Sequence, residues 1–236
     1  MIKDKLRAFA LHFLVSLLVI SLTAYVIFFV WYPAPFYGLY DVKLVFWLLF
    51  GIDVIVGPML TFLVYKKYKK TLKMDLTVIV VIQIVAFVIG IHSIAKARPA
   101  WLLIDKQVIY AISPATLSEN AKTDMPLSAL LKQNWLKPQL VTWPAGKPVV
   151  YNDVMAFTQY QSYDKAIGKK QQMSLDFVKD YNVEFYNKLK KQYPKASGYL
   201  PIVTDASMTT PVALFNAEGE WLAVMVHFPS SIVESK

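Results

Sequence analysis

The chain has 236 residues, 56% of them hydrophobic, and a formal net charge of +9. This apolar fraction is high for a soluble domain and favours a membrane protein. Cysteine is absent, which excludes disulfides, thiol catalysis and cysteine-ligated metals. The three histidines, His12, His92 and His227, lie far apart in the sequence, so we expect neither a metal site nor a cofactor.

The positive charge is concentrated beside the apolar segments. Residues 1–96 hold 10 Lys or Arg against 4 Asp or Glu, whereas residues 97–236 hold 15 against 12. Two thirds of the excess therefore belongs to the region of the apolar segments, where loops on the cytoplasmic side collect Lys and Arg. Membrane topology explains this distribution better than a nucleic-acid footprint, so we predict no nucleic-acid partner.

Three stretches are long and apolar enough to span a bilayer. Residues 9–31 contain no Asp, Glu, Lys or Arg, residues 44–65 contain only Asp53, and residues 76–95 contain none. At about 1.5 Å per residue, each helix would cross a hydrocarbon core ~30 Å thick. The first stretch is too long for the core of a signal peptide, and we expect an uncleaved span. We therefore predict a transmembrane domain over residues 1–96 and an outer domain over residues 97–236.

Lysine and arginine also predict the orientation. The N-terminal tail and the loop after the second span carry eight of them: Lys3, Lys5, Arg7, Lys66, Lys67, Lys69, Lys70 and Lys73. The opposite side carries four near the membrane, so the positive-inside rule places the N-terminus in the cytoplasm. The outer domain is then periplasmic if the source is a Gram-negative bacterium. We interpret the basic loop as topogenic, with a lipid-headgroup or cytoplasmic-partner site as the alternative.

The outer domain is predicted to be α+β with a small antiparallel sheet. Residues 101–113 are rich in β-branched and aromatic residues and predict a strand, or a hairpin turning at Asp105-Lys106. Helices are predicted at residues 126–135, 152–167 and 174–194, the last of them capped by Ser174. Strands are predicted at residues 199–204, 211–216 and 220–228, with a turn at 217–219 between the last two.

The stretch GIDVIVGPML, residues 51–60, places a carboxylate near the middle of the second span. A charge there costs about 2.5–3.5 kcal/mol on insertion scales, so Asp53 must be protonated, paired, or facing a wet or protein-lined interior. Helical spacing puts Asp53 and Gly57 on one stripe, where the missing side chain lets another helix approach. Pro58 is expected to kink the helix, and Thr61 to help satisfy the freed backbone groups.

Three roles for the stripe that holds Asp53 and Gly57 stay open. The first is a buried polar contact inside the bundle, with Gln83 of the third span as the partner of Asp53. The second is a docking site for a partner transmembrane helix, formed by Gly51, Asp53, Gly57, Pro58 and Thr61. The third is a proton or ion role for Asp53.

The sequence lacks the common catalytic motifs that would support an enzyme. The sequence contains no Gly-x-Ser-x-Gly, His-Glu-x-x-His, P-loop or Gly-x-Gly-x-x-Gly motif. An intramembrane aspartyl protease needs two carboxylates sharing a proton, and the predicted spans hold one. We therefore predict a non-catalytic protein. The alternatives are a small intramembrane enzyme or proton-linked component that uses Asp53, and an envelope sensor acting through the basic loop.

Several segments together resemble the TfpX/TfpZ family of type IV pilin accessory proteins. They are the short basic tail, WYPAPFY at the end of the first span, GIDVIVGPMLTFLVY in the second span, MDL after the Lys-rich loop, and ARPAWLLIDKQVIYAI after the third span. The likeness is best over Gly51–Tyr65 and at Arg98-Pro99. Beyond about residue 115 it lies in architecture more than in residues.

The resemblance implies a multi-pass protein of the bacterial inner membrane without catalytic activity. It further implies association with the major type IV pilin, whose transmembrane helix and globular head would meet the spans and the periplasmic domain, respectively. Membrane lipids would be the other partner. The implied function is that of a chaperone-like factor that supports pilus assembly or tunes pilus dynamics.

Overall fold

The structure is a computed structural model that describes residues 2–124, 126, 128, 132, 135–144, 153, 155–204, 211–226, 228 and 229. It divides into two compact units. Unit 1 comprises Met1–Tyr37 and Asp41–Ala97, and unit 2 comprises Gly38–Tyr40 and Arg98–Lys236.

Unit 1 consists of three long helical segments. The first is α1 (Ile2–Tyr25), which continues as a π-helix over Val26–Trp31. The second is α2 (Val42–Phe50), a π-helix over Gly51–Val56 and α3 (Gly57–Val64), and the third is α4 (Leu72–Ala97). All three segments are long and apolar enough to cross a membrane. The three predicted apolar helices are thereby confirmed as helices.

The second segment lies between the other two. Phe9 of α1 packs edge-on against Phe62 of α3, with ring centroids 6.3 Å apart. On the other side Gly90 of α4 lets Leu49 approach, because a Cβ at Gly90 would lie 2.9 Å from Leu49 Cγ. Since α1 and α4 make few contacts with each other, a groove runs between them with the second segment as its floor.

The outward surface of unit 1 is apolar. Leu14, Leu48 and Ile82, one from each segment, are all exposed, as are many other Leu, Ile and Val side chains of the three segments. A contiguous apolar surface of this extent is unfavourable in water and is typical of a surface that faces lipid or protein. The side chains therefore agree with the helix lengths in favouring a membrane environment.

Over its described residues, unit 2 is built on a mixed sheet of eight strands: β1 (Trp101–Asp105), β2 (Val108–Ile112), β3 (Gln139–Thr142), β4 (Gln161–Ser162), β5 (Met173–Ser174), β6 (Gly198–Val203), β7 (Val212–Phe215) and β8 (Trp221–Met225). The order is β4-β3-β1-β2-β6-β7-β8, and β5 also pairs with β6. The pairs β1–β3 and β2–β6 are parallel, and the other pairs are antiparallel.

The prediction of a small antiparallel sheet is therefore wrong. Hairpins between consecutive strands do occur, at β1–β2 and β7–β8. The turn between β7 and β8 was predicted, and a hairpin was one of the two alternatives for residues 101–113. The parallel pairs join strands that are distant in sequence, such as Leu102 opposite Leu140. A parallel pair needs a long crossover connection, and its register leaves no short turn motif in the sequence.

Unit 2 also contains the helices α5 (Pro114–Ala121), α6 (Lys165–Gln171), α7 (Asp176–Tyr181) and α8 (Val183–Gln192). The helix predicted at 126–135 lies mostly outside the described residues. The helix predicted at 152–167 is wrong over its described part, which holds a 3-10 turn over Ala156–Gln159, the strand β4 and the beginning of α6. Asp164 is extended and accepts a hydrogen bond from the Ala166 N–H, so it starts a new helix.

The helix predicted at 174–194 is divided at Asn182. Its φ of −151° and ψ of 92° are extended, and its side chain accepts a hydrogen bond from the Phe185 N–H at 2.9 Å. Asn182 therefore ends α7 and caps α8. Ser174 accepts a hydrogen bond from the Asp176 N–H at 3.1 Å, but it does so from strand β5, one position before the residue that precedes α7.

Candidate functional site

The second helical segment changes its winding around Asp53. Over Gly51–Val56 it is π-helical, and the Gly57 N–H donates to the Ile52 carbonyl, five residues back. The next residue, Pro58, has no N–H. The two backbone donors that ordinarily serve the Asp53 carbonyl are thus occupied or missing, and this carbonyl needs a donor from another segment.

Gln83 of α4 supplies that donor. Its Nε2 donates to the Asp53 backbone carbonyl at 3.2 Å. Gly57 makes room for the amide, because a Cβ there would lie 2.5 Å from Gln83 Cδ and 2.7 Å from its Oε1. The structure thus brings together the predicted residues Asp53, Gly57 and Gln83, and it joins the first and the last through a backbone carbonyl.

Two acceptor atoms of this cluster stay without a partner. Asp53 and Gln83 are only 8% and 9% exposed. Within the part of the chain that the structure describes, Asp53 Oδ1 and Gln83 Oε1 have no hydrogen-bond donor. A buried acceptor of this kind costs about 1–3 kcal/mol, so the cluster is incomplete by itself.

Thr61 contacts the first segment. The Thr61 hydroxyl and His12 Nδ1 lie 2.7 Å apart, and Thr61 is buried. His12 belongs to this site but was not predicted from the sequence. A signal was present, because His12 and Thr61 both lie about one turn from the same, basic end of two consecutive apolar stretches, which places them at similar depth.

Two adjoining cavities lie in the groove between α1 and α4. The larger, of about 620 Å³, extends from Arg7 to Thr61, and the smaller, of about 310 Å³, reaches Asp53 and Gln83. His12, Val15 and Val80 line both cavities. The groove is therefore continuous from the basic end of unit 1 to the two unpartnered acceptors.

The other predicted docking residues lie apart from these contacts. A Cβ at Gly51 would meet nothing within 4 Å, so this glycine leaves open space beside the π-helix. Pro58 is buried at the first turn of α3.

The predicted basic loop is exposed. All five of its lysines face outward: Lys66, Lys67, Lys69, Lys70 and Lys73. Lys69 forms an ion pair with Asp75 at the first turn of α4, at 2.6 Å. Such an exposed pair contributes little to stability, and it leaves the loop strongly positive.

Two polar contacts in unit 2 join α6 and the residues just before it to the turn between β7 and β8. The Tyr163 hydroxyl donates to the Gly219 carbonyl, and Lys165 forms an ion pair with Glu220. Burial, and to a lesser extent the charge of Asp164, raises the pKa of Tyr163 to about 12. The described residues include no group of three or more His, Cys, Asp or Glu that could hold a metal ion.

These features define a class of protein: three helices of membrane-spanning length with a buried polar cluster on the middle one, followed by a separate unit on a mixed sheet. Residues 1–40 match the family model described as Fimbrial assembly protein FimB.

Known relatives identify the family. Over 105 residues, or 44% of this chain, it is 40% identical to the fimbrial assembly protein of serogroup I from Dichelobacter nodosus and covers 41% of that protein. It is 39% identical over 105 residues to the fimbrial assembly protein of serogroups C1 and C2 from the same organism, and covers 80% of it. The chain therefore belongs to the fimbrial assembly protein family.

The match is partial in length for two of the relatives. The chain spans only 41% of the serogroup I protein and 41% of the serogroup E1 protein of Dichelobacter nodosus. No solved structure gives a significant match to the chain.

Proposed function

We propose that this protein is an inner-membrane accessory factor of type IV fimbrial assembly, of the TfpX/TfpZ kind. It binds the pilin subunit and modulates pilus assembly or dynamics in a chaperone-like manner, without catalysing a reaction. The observation that carries the proposal is an open groove with an unsatisfied polar floor, found in a chain that belongs to the fimbrial assembly proteins.

The proposed topology follows from the charges of unit 1. The eight Lys and Arg of the N-terminal tail and the basic loop favour the cytoplasmic side. After three crossings, unit 2 lies in the periplasm. A pilin subunit anchored by one hydrophobic helix, with its globular head outside the same membrane, would then have both of its parts beside this protein.

Binding at two places strengthens a weak partner interaction. Unit 1 offers the groove to the pilin helix, and unit 2 offers a folded surface to the pilin head. Once one part is bound, the second contact forms at a high effective concentration, so modest affinities suffice to hold a subunit before it enters the pilus. This is the action of an assembly factor that holds and releases its client.

A proton-linked role of Asp53 is the rival function. The pairing of His12 with Thr61 and the cavity that continues from them to Asp53 favour this alternative, because they provide polar groups along one path. Such a protein would show an activity or a partner affinity that changes with pH and is lost in Asp53→Asn, with pilin capture itself intact.

Affinity capture of the full-length tagged protein from its own cells tests the proposal. We expect the pilin subunit to co-purify, and fewer surface pili in a deletion strain. Asp53→Asn should reduce pilin capture without lowering the abundance of the protein. The matched control is Asp75→Asn, since Asp75 is a carboxylate of unit 1 outside the apolar stretches and pairs with Lys69. Absence of pilin from the wild-type capture, or normal piliation in the deletion strain, would overturn the proposal.

A further inference from the structure

The groove between α1 and α4 of unit 1, which we call the slot, has the length and the walls needed to bind a helix. Its lining on α1 runs from Asp4 to Val19 and on α4 from Leu76 to Phe87. The α1 lining alone corresponds to about 22 Å of helix at ~1.5 Å per residue. The walls near Asp53 are mostly apolar, formed by Val15, Val19, Val80, Ile84 and Phe87, with Ser16 and His12 as their polar members. Three helices with one open seam of this kind lack the fourth helix of a bundle.

The floor of the slot holds two hydrogen-bond acceptors without donors in the described part of the chain. Asp53 Oδ1 and Gln83 Oε1 are both acceptors, both belong to residues more than nine-tenths buried, and both residues line the same cavity. Gln83 Nε2 has a second N–H besides the one that donates to the Asp53 carbonyl, but no donor of the described residues is within hydrogen-bond distance of Asp53 Oδ1. Two adjacent acceptors without donors are satisfied by a ligand that donates.

We propose that the slot between α1 and α4 takes a single transmembrane helix of the fimbrial subunit, and that this helix carries a hydrogen-bond donor side chain at the depth of Asp53. The donor is a hydroxyl, an amide or an ammonium group, and it bonds to Asp53 Oδ1, with Gln83 Oε1 as a second acceptor. The inference rests on the proposed function for the identity of the partner, and it adds the binding surface and the chemistry of recognition.

A helix with a donor fits this slot better than the other candidates. A lipid acyl chain would match the apolar walls but has no donor for the floor. Water would supply donors, but it would leave the apolar walls of Val19, Ile84 and Phe87 uncovered. In the chain itself, the hydroxyls of Ser21, Thr23 and Ser93 already donate to backbone carbonyls one turn earlier.

The matched positions for a test lie one or two residues apart in the sequence. All four side chains are exposed at similar depth, but Val15 and Ile84 line the slot, whereas Leu14 and Ile82 line neither cavity. A photo-crosslinking residue at each of the four positions, in the full chain in its own cells, probes the slot against the outer surface. We expect crosslinks to the fimbrial subunit from Val15 and Ile84 and few from Leu14 and Ile82.

Variants of the acceptor test the donor. Asp53→Asn keeps one acceptor oxygen, and Asp53→Leu keeps none. We expect crosslinking from Ile84 to fall about tenfold in Asp53→Leu and less in Asp53→Asn, as for loss of one buried polar contact. The melting temperature of purified Asp53→Leu in detergent should stay level or rise, because the free protein loses an unsatisfied acceptor. A purely structural carboxylate would instead lower the melting temperature in both variants.

A blocking variant keeps the test independent of Asp53. Val15→Trp should fill the slot and reduce crosslinking from Ile84, while Leu14→Trp should leave it unchanged. Equal crosslinking from all four positions, or adducts from Val15 and Ile84 only to lipid or to a second copy, would overturn the inference. If the subunit co-purifies but crosslinks only from Leu14 and Ile82, the slot is wrong and the proposed function stands. If no subunit co-purifies, the proposed function is wrong, and the inference that rests on it is wrong as well.

Discussion

Asp53 and Gln83 meet through a main-chain carbonyl, and the reason lies in two neighbouring residues. The π-helical turn directs the Gly57 amide to Ile52, and Pro58 has no amide hydrogen to offer. The Asp53 carbonyl is left over, and the space above Gly57 admits the Gln83 amide that bonds to it. One N–H of the Gln83 amide therefore goes to the backbone, and Asp53 Oδ1 has no donor among the described residues.

Gln83→Leu tests this account of the cluster. The variant leaves the Asp53 carbonyl without a donor in an apolar surrounding, and we expect it to destabilise the protein by about 1–3 kcal/mol. Thermal unfolding of the full chain in detergent measures the loss. Ile82→Leu is the control, because this neighbour faces outward. Equal melting temperatures for the two variants would contradict the role of Gln83.

Because the pKa of Tyr163 is raised, we expect the free energy of unfolding to fall at high pH. Its pKa is raised from 10.0 to about 12, first by burial and then by Asp164, so the folded protein holds the phenolic proton more tightly than the unfolded chain does. This stabilisation is complete below the unfolded pKa and is lost as the pH rises through the window from 10.0 to about 12.

Denaturant unfolding across this window compares wild type with Tyr163→Phe. The variant should be less stable at neutral pH by about 0.5–1.5 kcal/mol, since it lacks the hydrogen bond to the Gly219 carbonyl. It should also lose less stability than wild type on going to alkaline pH. The exposed Tyr181→Phe should follow the wild-type curve, and parallel curves for all three proteins would refute the assignment.

At the scale of elements, capping residues decide where the helices of unit 2 begin. Asp164 and Asn182 are both extended, and each accepts a hydrogen bond from an N–H of the helix that follows it. Apolar spacing runs through both positions and predicted continuous helices there. A polar side chain that accepts a hydrogen bond from the backbone competes with continuation of the helix and can start a new helix instead.

Asn182→Ala tests the division between α7 and α8. Loss of the cap should cost about 0.5–2 kcal/mol, while Asn182→Asp should retain most of the stability because it keeps the acceptor oxygen. Urea unfolding of the full chain in detergent gives both values. Asn187→Ala, at an exposed position inside α8, serves as the control. A cost at Asn187 as large as that at Asn182 would show that capping is not the cause.

At the scale of the whole molecule, the distribution of charge predicts the side of the membrane on which each unit lies. The basic loop with Lys70 is exposed at one end of unit 1, and Glu218 is exposed on the β7–β8 turn of unit 2. Because the chain contains no cysteine, single cysteines introduced at these positions report cleanly on topology.

A membrane-impermeant maleimide distinguishes the two sides. Glu218→Cys should react once the outer membrane is permeable, whereas Lys70→Cys should react only after the inner membrane is opened. The positive-inside rule gives this expectation. Labelling of both residues, or of Lys70→Cys alone, in cells with an intact inner membrane would reverse the proposed orientation.

Local signals in the sequence determined the three apolar helices and the turn at 217–219, and they offered the hairpin at Asp105-Lys106 as one of two alternatives. Each depends on residues close together in the chain: length and apolarity for the helices, and turn residues such as Gly219, whose φ is +83°, for the hairpins. The same local rules identified Asp53, Gly57 and Gln83 as the polar and small residues of the spans. They did not reveal what those residues bond to.

Only the tertiary structure decided the parallel pairing of β1 with β3 and of β2 with β6, the pairing of His12 with Thr61, and the use of the Gln83 amide by the Asp53 carbonyl. These contacts join segments distant in the chain, and their register depends on how whole elements pack. A sequence shows which side chains can donate or accept. Which donors and acceptors meet, and which are left over for a partner, depends on the packing of the helices.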